Sequence, residues 1–412
     1  MSANNGNCKF GLVFAVLAAT AEFGYSQPIT CSVSAPAPSL APASGESELV
    51  SDLLLMCTTT EPSQSFVINV IVALNTNVTS RITNTTTLAN EALLLIDDPK
   101  PGVANTSNTF PYFGQVLGTP GILAGAPGSG NVYQGAQLTA GGVAEQNAVL
   151  FEGIPYVTAG TRTFRITNIR ADVSSLGPNP VNAFVSINTD VAVGVDNPEV
   201  TVAAGADALK FTSGALVGAV GLDISFAERF PKAFKKRIEN TIAGPLTLNH
   251  QDEPGPLYCT ESGFTPGFES LTTGDIGIAN TGTRLLSLLS DIPVAVTAFT
   301  VPNQVTSSSG DLVAHRVLPP FGADFAAGTV TTATGYGTVV VSAAHTVELL
   351  YQVTAASPYL GVNGCGALDT FNIGVIPSIP VSLSSVVVTG GLAPLDSVDT
   401  ASATAPEPRF KL

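Results

Sequence analysis

The sequence predicts an all-β protein: tandem antiparallel β-sandwich domains of immunoglobulin-like type, with one short surface helix. Three observations carry this. Charged residues make up only 11% of the chain, against 40 glycines and 29 prolines. Short apolar runs rich in Val, Ile and Thr recur between Gly/Pro-rich turns. Long segments with helical periodicity are lacking, so alternating βαβ units are not expected.

The chain begins with a pattern of export. Lys9 precedes an apolar run from Phe10 to Ala21, and Gly24-Tyr25-Ser26 supplies small residues before a cut. The run is too short for a bilayer span, which takes about 20 apolar residues. Residues 1–26 are therefore read as a signal peptide cleaved after Ser26. No later stretch reaches spanning length, so a membrane span is not expected, and secretion or cell-surface localisation is.

Residues 27–48 follow as an arm. Their Ser, Ala and Pro content, as in Ala35-Pro36-Ala37-Pro38, suggests an extended linker or a packed-down arm outside the core. The first sandwich is assigned to 49–205, opening with strands over Leu49–Cys57 and Phe66–Leu74, and the region Pro99–Gly142 reads as long loops. The second is assigned to 206–390, with strands over Val217–Phe226, Leu312–Val317, Thr338–Ala343, Thr346–Val353, Phe371–Ile376 and Ser382–Val388, and 391–412 as a C-terminal tail. Within it, Phe234, Ile238 and Ile242 recur every four residues after Pro231, the spacing of one helical face.

An internal echo links the halves. Gly160-Thr161-Arg162 opens a strand running to Ile169, and Gly282-Thr283-Arg284 opens another running to Ile292. Each is followed by a strand with a shared Ala-Phe, at Ala183-Phe184 and at Ala298-Phe299. This reads as one repeated unit, either a duplication or two β-meanders with a common turn sequence.

Cys8 leaves with the signal, so the exported chain keeps Cys31, Cys57, Cys259 and Cys365. An even number in an oxidising compartment implies two disulfides. Of three pairings, Cys31–Cys57 with Cys259–Cys365 is preferred because each staples one half of the chain. Zinc is disfavoured because no Cys-x-x-Cys occurs.

Catalytic signatures are missing from the sequence: no Gly-x-Ser-x-Gly, no His-Glu-x-x-His, no phosphate-binding Gly-rich loop. No cofactor is implied. His250-Gln251-Asp252-Glu253 is the densest set of potential ligands, and Asp252 and Glu253 are weak candidates for a metal loop. A solvated turn is the preferred reading, because two adjacent carboxylates imply neither calcium nor acid–base work. His315 is placed in a strand and His345 in a turn, both as ordinary residues. Lys232, Lys235, Lys236 and Arg237 cluster on the expected helix and could meet an acidic glycan or subunit, although the solvated side of a surface helix explains them as well. The net charge of −15 disfavours nucleic acid as a partner. Asn77-Val78-Thr79, Asn84-Thr85-Thr86 and Asn105-Thr106-Ser107 fit the N-glycosylation pattern, which is common by chance in such a chain.

The segments Leu49 to Thr58, Leu74 to Arg81, Phe164 to Arg170, Phe230 to Arg237 and Pro408-Arg409-Phe410 resemble a group of uncharacterised exported proteins of acidobacteria. The resemblance implies export and an all-β architecture, and it assigns no activity or functional residue.

The resulting expectation is a secreted, non-enzymatic extracellular or cell-surface protein, either a structural subunit or adhesin-like. A glycan- or ligand-binding module using Tyr112, Phe113, Tyr133 and Tyr156 is the second reading, and a secreted hydrolase the third. Self-association is expected along charge-free strands, with the arm from Gln27 to Gly45 reaching a neighbour; the alternative is that these strands are central and the arm packs back onto its own domain through Cys31–Cys57. Phe66–Leu74, Val294–Val301 and Thr338–Val341 carry no charge, and bare edges pair with other chains.

Overall fold

The computed structural model describes residues 29–96, 132–234, 283–321, 328–355 and 368–393, apart from breaks at 36, 60–64, 81, 85–86, 141–142, 158–159, 219, 232 and 311. The described chain is all-β and forms several sheets. The predicted fold class holds in that respect.

The first twelve-stranded sheet is built from β1 (Ile29–Ser34), β2 (Ser39–Pro42), β4 (Leu53–Thr59), β5 (Ser65–Leu74), β6 (Ile82–Asn84), β7 (Ala89–Ile96), β8 (Val132–Ala140), β9 (Val143–Val157), β10 (Gly160–Thr167), β12 (Pro180–Asn188), β13 (Val193–Asp196) and β14 (Glu199–Ala206). Two short strands, β3 (Glu48–Leu49) and β11 (Arg170–Ala171), pair with each other. The main order is β13-β1-β4-β10-β7-β8-β9-β5-β12-β14-β2, with β6 beside β7. One apolar core draws on both ends of this path: Ile29, Leu55, Phe164 and Leu94 from one side, Phe151, Val72, Val185 and Val202 from the other. The sheet therefore folds over a single core, as two faces of a sandwich do. Its end strands are joined by short connections, because β1 leads into β2 and β13 into β14.

The second assembly holds two sheets. One is β15 (Leu209–Ala215), β16 (Leu222–Glu228), β24 (Thr370–Pro377), β18 (Ala298–Pro302) and β22 (Tyr336–Val340), in that order. The other is β19 (Gln304–Thr306), β20 (Leu312–Leu318), β23 (Val347–Ala355), β17 (Arg284–Ser290) and β25 (Val387–Ala393), with β21 (Thr329–Val330) beside β20. Phe226, Phe299, Phe371 and Ile373 from the first face Leu285, Leu289, Leu349, Tyr351 and Val353 from the second across one core. Among the described residues, no strand pairing joins β1–β14 to β15–β25.

Several expectations are corrected. Of the two readings of the arm, the described part from Ile29 is packed down and not a linker, but it lies in the core and not outside it: β1 alternates buried Ile29, Cys31 and Val33 with exposed Thr30, Ser32 and Ser34, and β2 closes the far end of the sheet. The period-two pattern of Ile, Cys and Val outweighs the Ser/Pro composition around it. Leu49–Cys57 is interrupted at Val50–Asp52, and β8 occupies the end of the region read as loops. Gly135 explains why β8 escaped notice. A Cβ there would lie 2.5 Å from Val149 Cγ1 and 3.1 Å from Phe151 Cε1, so the strand needs glycine for close packing rather than for a turn. Ser382–Val388 is largely a turn, and the strand begins at Val387. No helix occurs among the described residues; Phe230, Pro231, Ala233 and Phe234 are not helical, and Ala233 N–H donates to Phe230 O at 3.1 Å. The remainder of the predicted helix, 235–242, lies outside the described residues.

The strands of the internal echo do not form a meander in either copy. β10 pairs with β4 and β7, and β12 with β5 and β14; β17 pairs with β23 and β25, and β18 with β22 and β24. The two strands of each copy thus lie apart in the sheets and cross the core as an arch. Each β10- and β17-type strand ends in a left-handed residue, Asn168 (φ 62°) or Asp291 (φ 55°), followed by buried Ile169 or Ile292. Asn and Asp tolerate this conformation better than other side chains. The shared Ala-Phe is out of phase: Ala183 is buried and Phe184 exposed, whereas Phe299 is buried. A one-residue offset exchanges the faces of a strand, so these dipeptides are not equivalent.

Candidate interaction edges and buried polar clusters

Of the predicted cystines, Cys31–Cys57 is present. The two residues face each other in the β1–β4 ladder, both are buried, and their Cα atoms are 4.0 Å apart. The bond fastens the N-terminal strand to β4 beside Ile29 and Val33. Cys259, Cys365, His250, Asp252, Glu253, Lys232, Lys235, Lys236 and Arg237 lie outside the described residues, as do Tyr112 and Phe113. Tyr133 is buried in the first core, where burial raises its hydroxyl pKa, so it offers no exposed platform. Tyr156 belongs to β9. His315 sits in β20 opposite Gln304, and His345 takes a left-handed turn conformation (φ 57°). Among the described residues, no three His, Cys, Asp or Glu side chains come together as a metal site would require.

The structure instead buries charges that sequence reasoning passed over. Arg170 Nε lies 3.2 Å from Glu91 Oε1, with both side chains almost fully enclosed. The Arg170 guanidinium also donates to Ser47 O at 3.4 Å, and the Arg170 backbone N–H donates to Ser80 Oγ at 2.9 Å. Ser80 in turn donates to Asn168 O at 3.1 Å. This polar cluster ties β7, the arch after β10 and the segment before β4 together, behind the left-handed turn at Asn168. Such a buried pair needs both members, because either alone is an uncompensated charge. The available signal was the position of Glu91 directly before an apolar run, Ala92 to Ile96, in a chain with few charges.

A second buried carboxylate organises the other assembly. Glu228 Oε1 accepts from Phe234 N–H at 2.8 Å and Oε2 from Asp369 N–H at 2.9 Å. Glu228 N–H donates to Asp369 O at 2.8 Å, and Asp369 Oδ1 accepts from Ser309 N–H at 3.1 Å. One side chain thus fixes the entry to β24 and the turn that drives Phe234 against Phe371, ring centroids 5.9 Å apart. These backbone donors would be orphaned without it.

The third feature is an edge. Of the three charge-free strands, β5 lies between β9 and β12, and β18 lies between β24 and β22, so neither is bare. Of the three, only β22 ends a sheet among the described residues. It alternates exposed Tyr336, Thr338 and Val340 with half-buried Gly337 and Val339. Val341 N–H donates to Thr297 O at 2.9 Å, and Asn303 N–H to Gly335 O at 2.8 Å. Odd-numbered residues are therefore the hydrogen-bonded positions facing β18. The N–H and C=O groups of Tyr336, Thr338 and Val340 point away from the sheet.

Beneath this edge, Arg316 reaches across from β20. Its cross-strand partner is Tyr351, which points into the core, so Arg316 points inward too. Arg316 Nη1 donates to Thr338 O at 3.3 Å. Gly337 makes room for it: a Cβ there would lie 2.3 Å from Arg316 Nη2 and 2.6 Å from Asn303 Oδ1. Tyr351 Oη donates to Pro302 O at 2.6 Å. Burial pushes the Tyr351 hydroxyl pKa well up, and the Arg316 charge pulls back against this.

No family model matches the chain, and no curated protein does. Among solved structures, the chain is similar to the B domain of a biofilm-associated protein, at 7% identity and a TM-score of 0.19, covering 84% of this chain and 75% of that one. The BSP domain of a biofilm-associated protein gives 7% identity and 0.21, covering 86% of this chain and 50% of that one. The pilus backbone RrgB from Streptococcus pneumoniae gives 8% identity and 0.24, covering 84% of this chain and 93% of that one. Superpositions this loose equate no residue of those proteins with a residue here.

Proposed function

We propose that this chain is an exported, non-enzymatic protein of the extracellular space or cell surface, working as a structural subunit or adhesin-like component that self-associates through sheet edges. The observation that carries the reading is the buried Cys31–Cys57 bond joining the N-terminal strand to its neighbour. Disulfides of this kind form and persist in oxidising compartments, which supports a working location outside the reducing cytoplasm. The resemblance to exported acidobacterial proteins and the export pattern of residues 1–26 support the same reading. The β-rich, charge-poor assemblies with a bare edge at β22 suit a part that contacts other molecules through surfaces rather than through a reaction centre.

The test is expression of the chain in a bacterial host able to export it. The expected result is protein accessible to added protease on intact cells or in the medium, beginning near Gln27, with Cys31 and Cys57 blocked to alkylation until reduced. Cytoplasmic protein with an intact Met1 and freely alkylated Cys31 and Cys57 would refute the reading.

A further inference from the structure

We infer that β22 is the contact by which two copies of this chain pair, antiparallel about a two-fold axis at Thr338. The inference rests on the assembly reading above and names its partner and register.

The choice of β22 follows from the other sheet ends. In the first assembly, the end strands β13 and β2 are four residues each, and short edges are poor templates. β19 has three residues. β15 carries Lys210, a charge that guards an edge. β25 is uncharged, but its adjacent Gly390 and Gly391 weaken it as a template for a further strand. That leaves β22, whose sequence Tyr336-Gly337-Thr338-Val339-Val340 has no charge and whose alternate residues are exposed. Tyr336 is 68% and Val340 75% exposed, the two highest values among the large apolar side chains of the described strands.

The edge is complementary to itself. A two-fold axis through Thr338 sets Tyr336 opposite Val340 of the second copy, and Val340 opposite its Tyr336. Aromatic and β-branched residues are a favourable cross-strand pair, and Thr opposite Thr is another. The three residues so matched are those whose N–H and C=O groups point outward, so each opposed pair exchanges both main-chain bonds, about six in all. Shifting the register by two residues leaves one of the three without a matching partner. Thr338 O already accepts from Arg316, but a carbonyl oxygen has a second lone pair for the incoming N–H. The guanidinium lies on the inner side with Gly337, away from the exposed row. Pairing would join two five-stranded sheets into one of ten strands. An uncharged contact also suits a chain of net charge −15, whose copies otherwise repel. A contact of one short strand per copy is small, so the association is expected to be weak in dilute solution and effective where copies are held close together.

The experiment is sedimentation equilibrium of the full exported chain up to about 0.5 mM, on the wild type and on Thr338→Lys and Thr338→Pro. The Thr338 N–H points outward, so proline there removes a donor that β18 does not use. The expected result is a concentration-dependent dimer in the wild type, a dissociation constant raised at least about tenfold in both variants, and unchanged melting temperatures. A Thr338→Cys variant should form a symmetric covalent dimer under mild oxidation. Wild-type protein that stays monomeric overturns the proposal. Association that survives both substitutions also overturns it while leaving the wider assembly reading standing, because the copies then meet elsewhere. The surface-accessibility experiment tests export separately and is indifferent to all these outcomes.

Discussion

Replacing Cys31 and Cys57 together by Ala should cost the first assembly a large part of its stability. The cross-link joins residues separated by 26 positions. Closing a loop of that length removes about 3.5 kcal/mol of unfolded-chain entropy at 25 °C in the chain-entropy model. For a unit the size of the β1–β14 assembly, each kcal/mol moves the melting temperature by about 2–4 °C, so a fall of about 10 °C is expected. Local structure decides how the loss appears. β1 is held between β4 and the four-residue β13, and it places Ile29 and Val33 in the core beside the cystine. The core contacts keep β1 docked in the variant, so the whole assembly should still unfold together at lower urea. Urea titration followed by circular dichroism, with amide exchange at Thr30 and Ser32, measures both aspects. An unchanged midpoint in the variant and in reduced wild type would refute the reasoning. A variant in which β1 exchanges freely while the midpoint holds would show that the bond secures only the end of the chain.

Arg170→Ala should destabilise by about 3–5 kcal/mol in thermal or urea unfolding, because it removes the cation that lies 3.2 Å from the buried Glu91 carboxylate; Arg170→Met with Glu91→Leu should recover much of that loss. Glu228→Gln keeps the shape but presents an NH2 to one of two backbone N–H groups, and should cost about 1–3 kcal/mol, with weakened fluorescence or NMR signatures of Phe234–Phe371 packing. Tyr351→Phe should change the alkaline limb of stability. Burial raises the Tyr351 pKa above its ordinary 10.0, so the folded form stays protonated while the unfolded chain ionises. The sign follows: the contribution is whole below pH 10 and is lost as pH rises above it, by about 1.4 kcal/mol per pH unit, and the wild-type-minus-variant difference should show that slope. A flat difference from pH 9 to 11 would count against a buried neutral phenol.

The sequence by itself determined the fold class and the Cys31–Cys57 bond, and the two have different physical origins. Alternation with period two, as in Leu222 to Phe226, is local: a strand with one buried face must place apolar residues on every second position, whatever it pairs with. The cystine was legible from chemistry and proximity in the chain. Pairing order was not legible, because β10 and β12 are neighbours in sequence yet separated in the sheet by β7, β8, β9 and β5. That order depends on which strands share a core, a property of the folded whole. The same reason hid the candidate edge. Three charge-free strands read alike, and only the completed ladders show that β5 and β18 are flanked on both sides while β22 is flanked on one. Arg316 illustrates the limit most directly. In the chain it is one cation in a strand; in the fold its inward direction, set by the Tyr351 register, brings it under Thr338 from the opposite sheet. A contact between sheets is fixed by packing, which no local pattern encodes.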